Sequence, residues 1–307
     1  MFIVDSHAHP PRKGVPGIDS RPRKIPESKE EIESIFLEDI HEIIAEMEQY
    51  HIDMKVMIAM PPDIEEQFHY GEYIPECNAT TLTSHEWISK AVSLFPERFA
   101  ACACLNPLEK TSINKIEELV KKKGFKEVKI HQAHYGFEVH DKRAYPFYEK
   151  CIELDIPVAF HTGFSPVPMI DRYIPAMPCY IDELAYDLPD LKINMCHGGG
   201  NWYQDGIMIA LRNKNIMIDI AGITDLCTKM VYPEIDAKVL IKRYAEVLGA
   251  NRILYGTDNM DADMNLQLLS ETGLSRSDLE KIMGLNAEKY LKLDKGDNRI
   301  LKQGGGQ

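Results

Sequence analysis

The chain has no hydrophobic run near the roughly 18–20 residues that a membrane-spanning helix needs. It has no excess of positive charge either. Thirty-five Lys and Arg stand against 48 Asp and Glu, a formal net charge of −13. The first absence argues against a membrane protein, and the second against a nucleic-acid-binding surface. The opening MFIVDSHAH lacks a basic segment followed by an apolar stretch, so no secretory signal peptide is expected. The seven cysteines are scattered, odd in number and without a C-x-x-C pair. That pattern does not make a disulfide framework. Cys102, Cys104 and Cys196, set inside apolar runs, read as buried free thiols of a reducing, cytoplasmic compartment. No linker interrupts the chain, so a single domain is expected over 1–295, followed by a tail over 296–307 that ends in GGGQ.

What is present is an alternating plan. With 307 residues, 44% of them hydrophobic and 27% charged, the chain can build one large soluble core. Short apolar runs with strand character fall at Phe2–Val4, Val56–Met60, Phe99–Leu105, Glu127–His131, Pro157–His161, Lys192–His197, Ile216–Ile220 and Arg252–Tyr255. Between them lie stripes at helical spacing. Ile32, Ile35, Phe36, Ile40, Ile43, Ile44 and Met47 mark one, Phe147, Cys151, Ile152 and Leu154 another, and Ile181, Leu184, Ala185 and Leu188 a third. Strands alternating with helices imply a parallel sheet, and eight repeats suggest closure into a (β/α)₈ barrel, with an open doubly wound sheet as the alternative. Ser277 and Glu280 read as a capping box near the end of the chain, and Asn286 as the start of a last short helix. Long Pro- and Gly-rich stretches follow the first, second and fifth strands, where a barrel shapes its substrate pocket.

Five of the strand-like runs end in chemistry: His7 and His9, His131, His161, His197 and Asp258. His7 and His9 are two apart on a strand end, so both imidazoles point to one side. An H-x-H pair alone is weak in a chain with eleven histidines, but this one sits directly after the first strand. With His161 and Asp258 it makes three imidazoles and a carboxylate, a donor set for a divalent metal such as zinc, iron, manganese or cobalt. Such an ion lowers the pKa of water toward about 7, and Asp258 can take the proton. His197, placed before three glycines, can polarise a substrate oxygen, shuttle a proton or hold a second metal.

Lys129 and His131 share one face of the fourth strand, with Val128 and Ile130 turned to the helices. An inward lysine can pair with an acid, bind a substrate carboxylate or, carbamylated, bridge two metals. Trp202 and Tyr203 can line the pocket or merely pack. Arg172, in the loop after His161, and the cluster Arg12, Lys13, Arg21, Arg23 and Lys24 after the first strand are candidate partners for an anionic substrate.

The segments DSHAHP, VKIH, VAFHTG, INMCHGGG and ILYGTDN, in this order and spacing, resemble the amidohydrolase superfamily. More narrowly they are similar to its amidohydrolase-related, aminocarboxymuconate-semialdehyde decarboxylase-like branch, over nearly the whole chain. The resemblance implies a distorted (β/α)₈ barrel, metal binding by His7, His9, His161 and Asp258, and a catalytic role for His197. It implies one divalent metal, typically Zn²⁺, with a second if Lys129 is carbamylated. Some decarboxylases of the branch carry a Glu in place of the first His, so H-x-H here, with His131 and the HTG after the fifth strand, favours hydrolase members.

The expectation is therefore a metal-dependent hydrolase of a small amide, lactone or related carboxylate-bearing compound. The alternative is a non-oxidative decarboxylase or hydratase using the same site. His197 and Asp258 are the expected catalytic residues, and Lys129, His131, Arg172 and Trp202 the expected substrate contacts. The substrate is expected to be a small anion, and a homodimer accords with the branch.

Overall fold

The computed structural model describes residues 1–11, 13–14, 21–22, 24–67, 70–75, 77–165 and 171–293. Arg12, Arg23 and the proposed tail from 296 lie outside the described residues. Eight parallel strands form one sheet in sequential order: β1 (Val4–Ala8), β2 (Met54–Ile58), β3 (Phe99–Cys104), β4 (Glu127–Ile130), β5 (Val158–Phe160), β6 (Ile193–Met195), β7 (Ile216–Asp219) and β8 (Ile253–Leu254). The order matches the expected barrel. The ladder pairs β1 with β2 and continues to β8, and two backbone hydrogen bonds join β8 back to β1: Ser6 N–H to Tyr255 O at 2.9 Å and Asp258 N–H to His7 O at 2.7 Å. A short antiparallel hairpin, Tyr73–Ile74 with Ala79–Thr80, decorates the loop after β2.

The first strand starts at Val4 and runs to Ala8, later than the apolar run alone suggests. Its register with β2 slips between Asp5 and Ala8, a bulge that re-aims the strand where it reaches His7. Helix α1 (Lys29–Gln49) starts where the Ser28 side chain accepts the Glu31 N–H, and it buries Phe36, Ile40 and Met47 of the expected stripe. Helices α2 (Tyr145–Glu153) and α3 (Cys179–Asp187) likewise bury Phe147 and Cys151, and Ile181, Leu184 and Ala185. Near the C-terminus Ser275, not Ser277, is the cap: it accepts from Asp278 N–H, and the helix begins at Arg276.

Val128 and Ile130 belong to the large outer core between sheet and helices, as alternation requires. A smaller core joins Val4, Val56, Ala100, Cys102 and Leu254 to Ala287 and Leu291 of the last helical segment. The other strands carry Glu127, Lys129, Asn194 and Asp219, all buried. One half of the sheet's inner layer is thus apolar and the other polar. No helix among the described residues is long and apolar enough to cross a membrane.

Candidate metal and acid–base site

The strand ends bring the histidines into one string. Ring centroids are 5.5 Å apart for His9–His7, 5.0 Å for His7–His197, 4.9 Å for His197–His161, and 4.3 Å for the parallel stack of His161 on His131. Within it, nitrogen and oxygen atoms of His7, His9 and Asp258 all lie within 4.8 Å of one another. His9 Nε2 is 3.2 Å from Asp258 Oδ1. His161 is not part of that tight trio and reaches it across His197.

Each of three imidazoles is pinned through Nδ1. His7 Nδ1 lies 3.0 Å from Asp219 Oδ2, His9 Nδ1 3.0 Å from Ile58 O, and His197 Nδ1 3.0 Å from Ala221 O. With Nδ1–H donating, Nε2 keeps its lone pair in His7 and His197, the tautomer that binds metal or accepts a proton, whereas His9 Nε2 faces the Asp258 carboxylate. His161 Nε2 is buried with no hydrogen-bond partner. A buried, unspent imidazole nitrogen one ring removed from a trio of two imidazoles and a carboxylate fits a resident divalent cation, and this donor set suits zinc or manganese. Burial, reinforced by neighbouring His131 and His197, holds the His161 pKa well below the usual histidine range; burial, helped by His7, brings His197 down to about 4. Both rings are neutral at physiological pH.

The turn that carries His197 is built from glycine. His197 itself has φ 60°, and Gly198, Gly199 and Gly200 follow at 58°, 98° and 59°. A side chain on Gly198 would strike the Tyr244 hydroxyl at 2.6 Å, the same hydroxyl that donates to Gly198 O at 2.8 Å. Gly200 sits against the backbone of Gly163, just after His161. The run of three glycines thus lets the β6 turn and the β5 turn touch, which brings the two histidines together.

Asp219 is the functional side chain that the sequence reading passed over. It is fully buried. Its Oδ2 accepts from His7 Nδ1 and, at 3.3 Å, from Asn194 Nδ2; its Oδ1 accepts from the backbone N–H groups of His197 at 2.9 Å and Ala221 at 3.1 Å. Burial alone would raise its pKa, but His7, these hydrogen bonds, His197 and Lys129 hold it far below the usual carboxylate range. A signal was available: Asp219 ends the apolar run IMID as His161 ends VAFH.

Lys129 is buried, and its ammonium donates to Cys196 Sγ at 2.8 Å. Burial opposes its charge, yet Cys196, Asp219 and Asp258 together raise its pKa. That favours the ammonium, whereas carbamylation needs the free amine. The second donor trio among the described residues, His7, Cys196 and Asp219, shares His7 with the first and is already joined by hydrogen bonding. His131 is drawn into the string, and its pKa is lowered to about 3 by burial. Beside it His134 pairs with Asp171, Nδ1 to Oδ1 at 2.9 Å, a pairing that no motif announced.

The remaining expected contacts lie farther out. Trp202 packs against Tyr173 with ring centroids 4.6 Å apart and the planes tilted by 41°. Arg172 is exposed and lines an open groove of about 680 Å³ with Phe137, Glu138, Arg143 and Tyr173, and it makes no hydrogen bond to the imidazoles. The described basic residues after the first strand, Lys13, Arg21 and Lys24, are paired locally. Lys13 pairs with Asp39 at 2.8 Å, Arg21 with Glu42 at 2.9 Å and Lys24 with Glu31 at 2.9 Å, because the loop packs along the acidic face of α1.

A family model described as Amidohydrolase matches residues 4–293. A 2-keto-4-carboxy-3-hexenedioate hydratase of Sphingobium sp. is 30% identical over 161 residues, which are 46% of this chain and 45% of that protein. The chain thus spans less than half the length of that curated relative. The structure of 4-oxalomesaconate hydratase from Rhodopseudomonas palustris superposes with a TM-score of 0.63 at 20% identity, covering 99% of each chain. A 5-carboxyvanillate decarboxylase from Novosphingobium aromaticivorans, complexed with manganese and a nitrobenzoic acid, superposes with a TM-score of 0.62 at 16% identity, covering 95% of this chain and 96% of that one. At these identities the two structures speak for the barrel fold.

Proposed function

The chain belongs to the amidohydrolase family, and on that premise we propose that it is a metal-dependent lyase, a hydratase of a small, unsaturated oxo-acid bearing several carboxylates. The observation that carries this reading is His197, a neutral imidazole with its Nε2 lone pair unspent, set between His7 and His161. Support also comes from the 30% identical relative and from the whole-chain structural match, both of which are hydratases. The hydrolysis of an amide or lactone, expected from the motifs, has weaker support, a structural likeness at 13% identity to a probable 2-pyrone-4,6-dicarboxylic acid hydrolase of Acinetobacter baumannii.

His7, His9, His161 and Asp258 would hold the divalent ion. When bound, the ion supplies Lewis-acid polarisation of a substrate oxygen and lowers the pKa of water. The chain's own residues do the rest. Asp258, half-buried beside His9, takes the proton from the attacking water. That proton passes to the free Nε2 of His197, which delivers it to the carbon next to the oxo group and, as the neutral base, removes it in the reverse dehydration. Asp219 holds the backbone of His197 and the ring of His7 in one frame, so acid–base group and ligand cannot drift apart. An ammonium at Lys129 and the string of neutral rings favour an anionic substrate.

The test supplies manganese-loaded protein with an oxo-mesaconate-type tricarboxylate in deuterated water. The expected result is loss of the conjugated absorbance with one deuterium on the carbon adjacent to the oxo group and no carbon dioxide. His197→Asn should retain metal and lose roughly 10²–10⁴-fold in kcat. Release of carbon dioxide from a carboxylated aromatic, or turnover of a lactone, without any hydration would overturn the assignment.

A further inference from the structure

We propose that Asp5, which is not a metal ligand, is the positioning residue that sets the separation of the two arms of the metal site. This rests on the metal-site reading above. The eight strands are paired from β1 to β8, and the seam where β8 meets β1 has no strand ladder among the described residues. The same seam separates His7 and His9, on the β1 side, from Asp258, on the β8 side. Elsewhere in the barrel a ladder fixes the distance between strand ends. Here two backbone hydrogen bonds, Ser6 N–H to Tyr255 O and Asp258 N–H to His7 O, cross the seam, and they need a side-chain clamp to keep them aligned.

Asp5 supplies it. Its carboxylate is fully buried. Oδ1 accepts from the His7 N–H at 3.2 Å on its own strand and from the Thr257 N–H at 2.9 Å across the seam. Oδ2 accepts from the Thr257 hydroxyl at 2.7 Å. One rigid side chain therefore grips the amide of one ligand and both donors of the residue before another. Lys55 Nζ stands 3.6 Å from Oδ2 and is itself tied to Glu46 at 2.7 Å, so the buried charge is compensated from behind.

The turn that Asp5 holds is one that would not hold itself. Asp258 and Asn259 are consecutive left-handed residues, with φ 54° and 59°. Neither is glycine, and such a conformation persists only where its surroundings impose it. The surroundings are Thr257, locked by Asp5, whose hydroxyl oxygen also accepts the Asn259 N–H at 3.2 Å, and the Asn259 side chain, which exchanges hydrogen bonds with the His9 backbone at 2.8 and 3.0 Å. Strain at Asp258 and the placement of His9 are thus coupled through one clamp. Without the Asp5 carboxylate the turn relaxes, and Asp258 leaves its position 3.2 Å from His9.

The test titrates metal-free full-length protein with Mn²⁺, reading the dissociation constant and the electron paramagnetic resonance spectrum of the bound ion. Thermal unfolding of the metal-free forms is followed in parallel. Thr257→Val, which removes the hydroxyl's two hydrogen bonds, to Asp5 and from Asn259, at constant shape, should weaken Mn²⁺ binding about 10-fold. Asp5→Asn should weaken it about 10- to 100-fold, the range expected for partners that orient ligands. Both should alter the spectrum, and Thr257→Ser should restore wild-type affinity. A purely structural role would lower the melting temperature while leaving affinity and spectrum unchanged in the folded protein, and that result overturns the proposal. If Asp5→Asn does not fold, the Thr257 pair decides. Asp258→Ala separates the two levels of inference. Wild-type Mn²⁺ affinity in that variant removes the metal site itself and the clamp with it. Lost affinity there beside wild-type affinity in Thr257→Val and Asp5→Asn removes the clamp alone.

Discussion

A histidine serves as ligand or base only when neutral and only when the correct nitrogen is free. Both conditions are met here by local means. Burial keeps His161, His197 and His131 uncharged, and a carboxylate or carbonyl at Nδ1 fixes the tautomer of His7 and His197. The same burial has an unfavourable consequence at Glu127 in β4. Removal from water, with Asp219 nearby, pushes its pKa from 4.5 up to about 8. The folded protein therefore keeps a proton that the unfolded chain has lost between those two values. Stability must fall as pH rises through that window, by up to ~1.4 kcal/mol per pH unit, and level off above it. Glu127→Gln should flatten this slope and be more stable than wild type at pH 8 in urea unfolding. An unchanged slope would mean that Glu127 is ionised in the folded state. The chemistry-bearing types His7, His9, His161, His197 and Asp258 were legible because they interrupt apolar runs. Asp5 was not, since a carboxylate that works by holding a neighbour looks in sequence like any other Asp, and Asp219 was marked only by its place at the end of an apolar run.

The decisive element is the turn after β6. Its three glycines adopt positive φ, and Gly200 lies so close to Gly163 that a methyl group on either collides with the other's backbone. Gly200→Ala should cost about 1–3 kcal/mol through overpacking and backbone strain, and should also displace His197 from His161. Thermal unfolding and the titration of the two rings by NMR would show it; a wild-type melting temperature would contradict the close approach. Helix α1 carries the opposite lesson. Its stripe was readable, but its acids captured Lys13, Arg21 and Lys24, which as a sequence pattern had looked available for substrate. Charge runs do not reveal their partners, because pairing depends on which element the loop crosses. The start of β1 was misread by two residues for a related reason: a polar stretch such as Asp5–Ser6 breaks an apolar run without ending a strand whose carboxylate is satisfied from across the seam.

At the level of the whole barrel, the inner layer divides into an apolar half closed by the last helical segment and a polar half built on Glu127, Lys129, Asn194 and Asp219. The candidate metal trio of His7, His9 and Asp258 spans the seam that joins the first strand to the last, so an ion held there should staple the barrel shut. Metal present at about 100 times its Kd stabilises a fold by ~2.7 kcal/mol, and each kcal/mol moves the melting temperature of a domain this size by about 2–4 °C. Chelation should therefore lower the melting temperature by roughly 5–10 °C, and Asp258→Ala should not respond to chelator. An equal melting temperature for metal-loaded and stripped wild type would show that the ion does not bridge the seam. By itself the sequence determined the alternating plan, the eight strands and the residue types at their ends, because periodicity and composition act along the chain. Only the tertiary structure decided which of those residues meet, that Asp5 and Asp219 hold them, and that Lys13, Arg21 and Lys24 pair with acids of α1. Those outcomes depend on contacts between groups as many as 252 positions apart, whose energies no local pattern encodes.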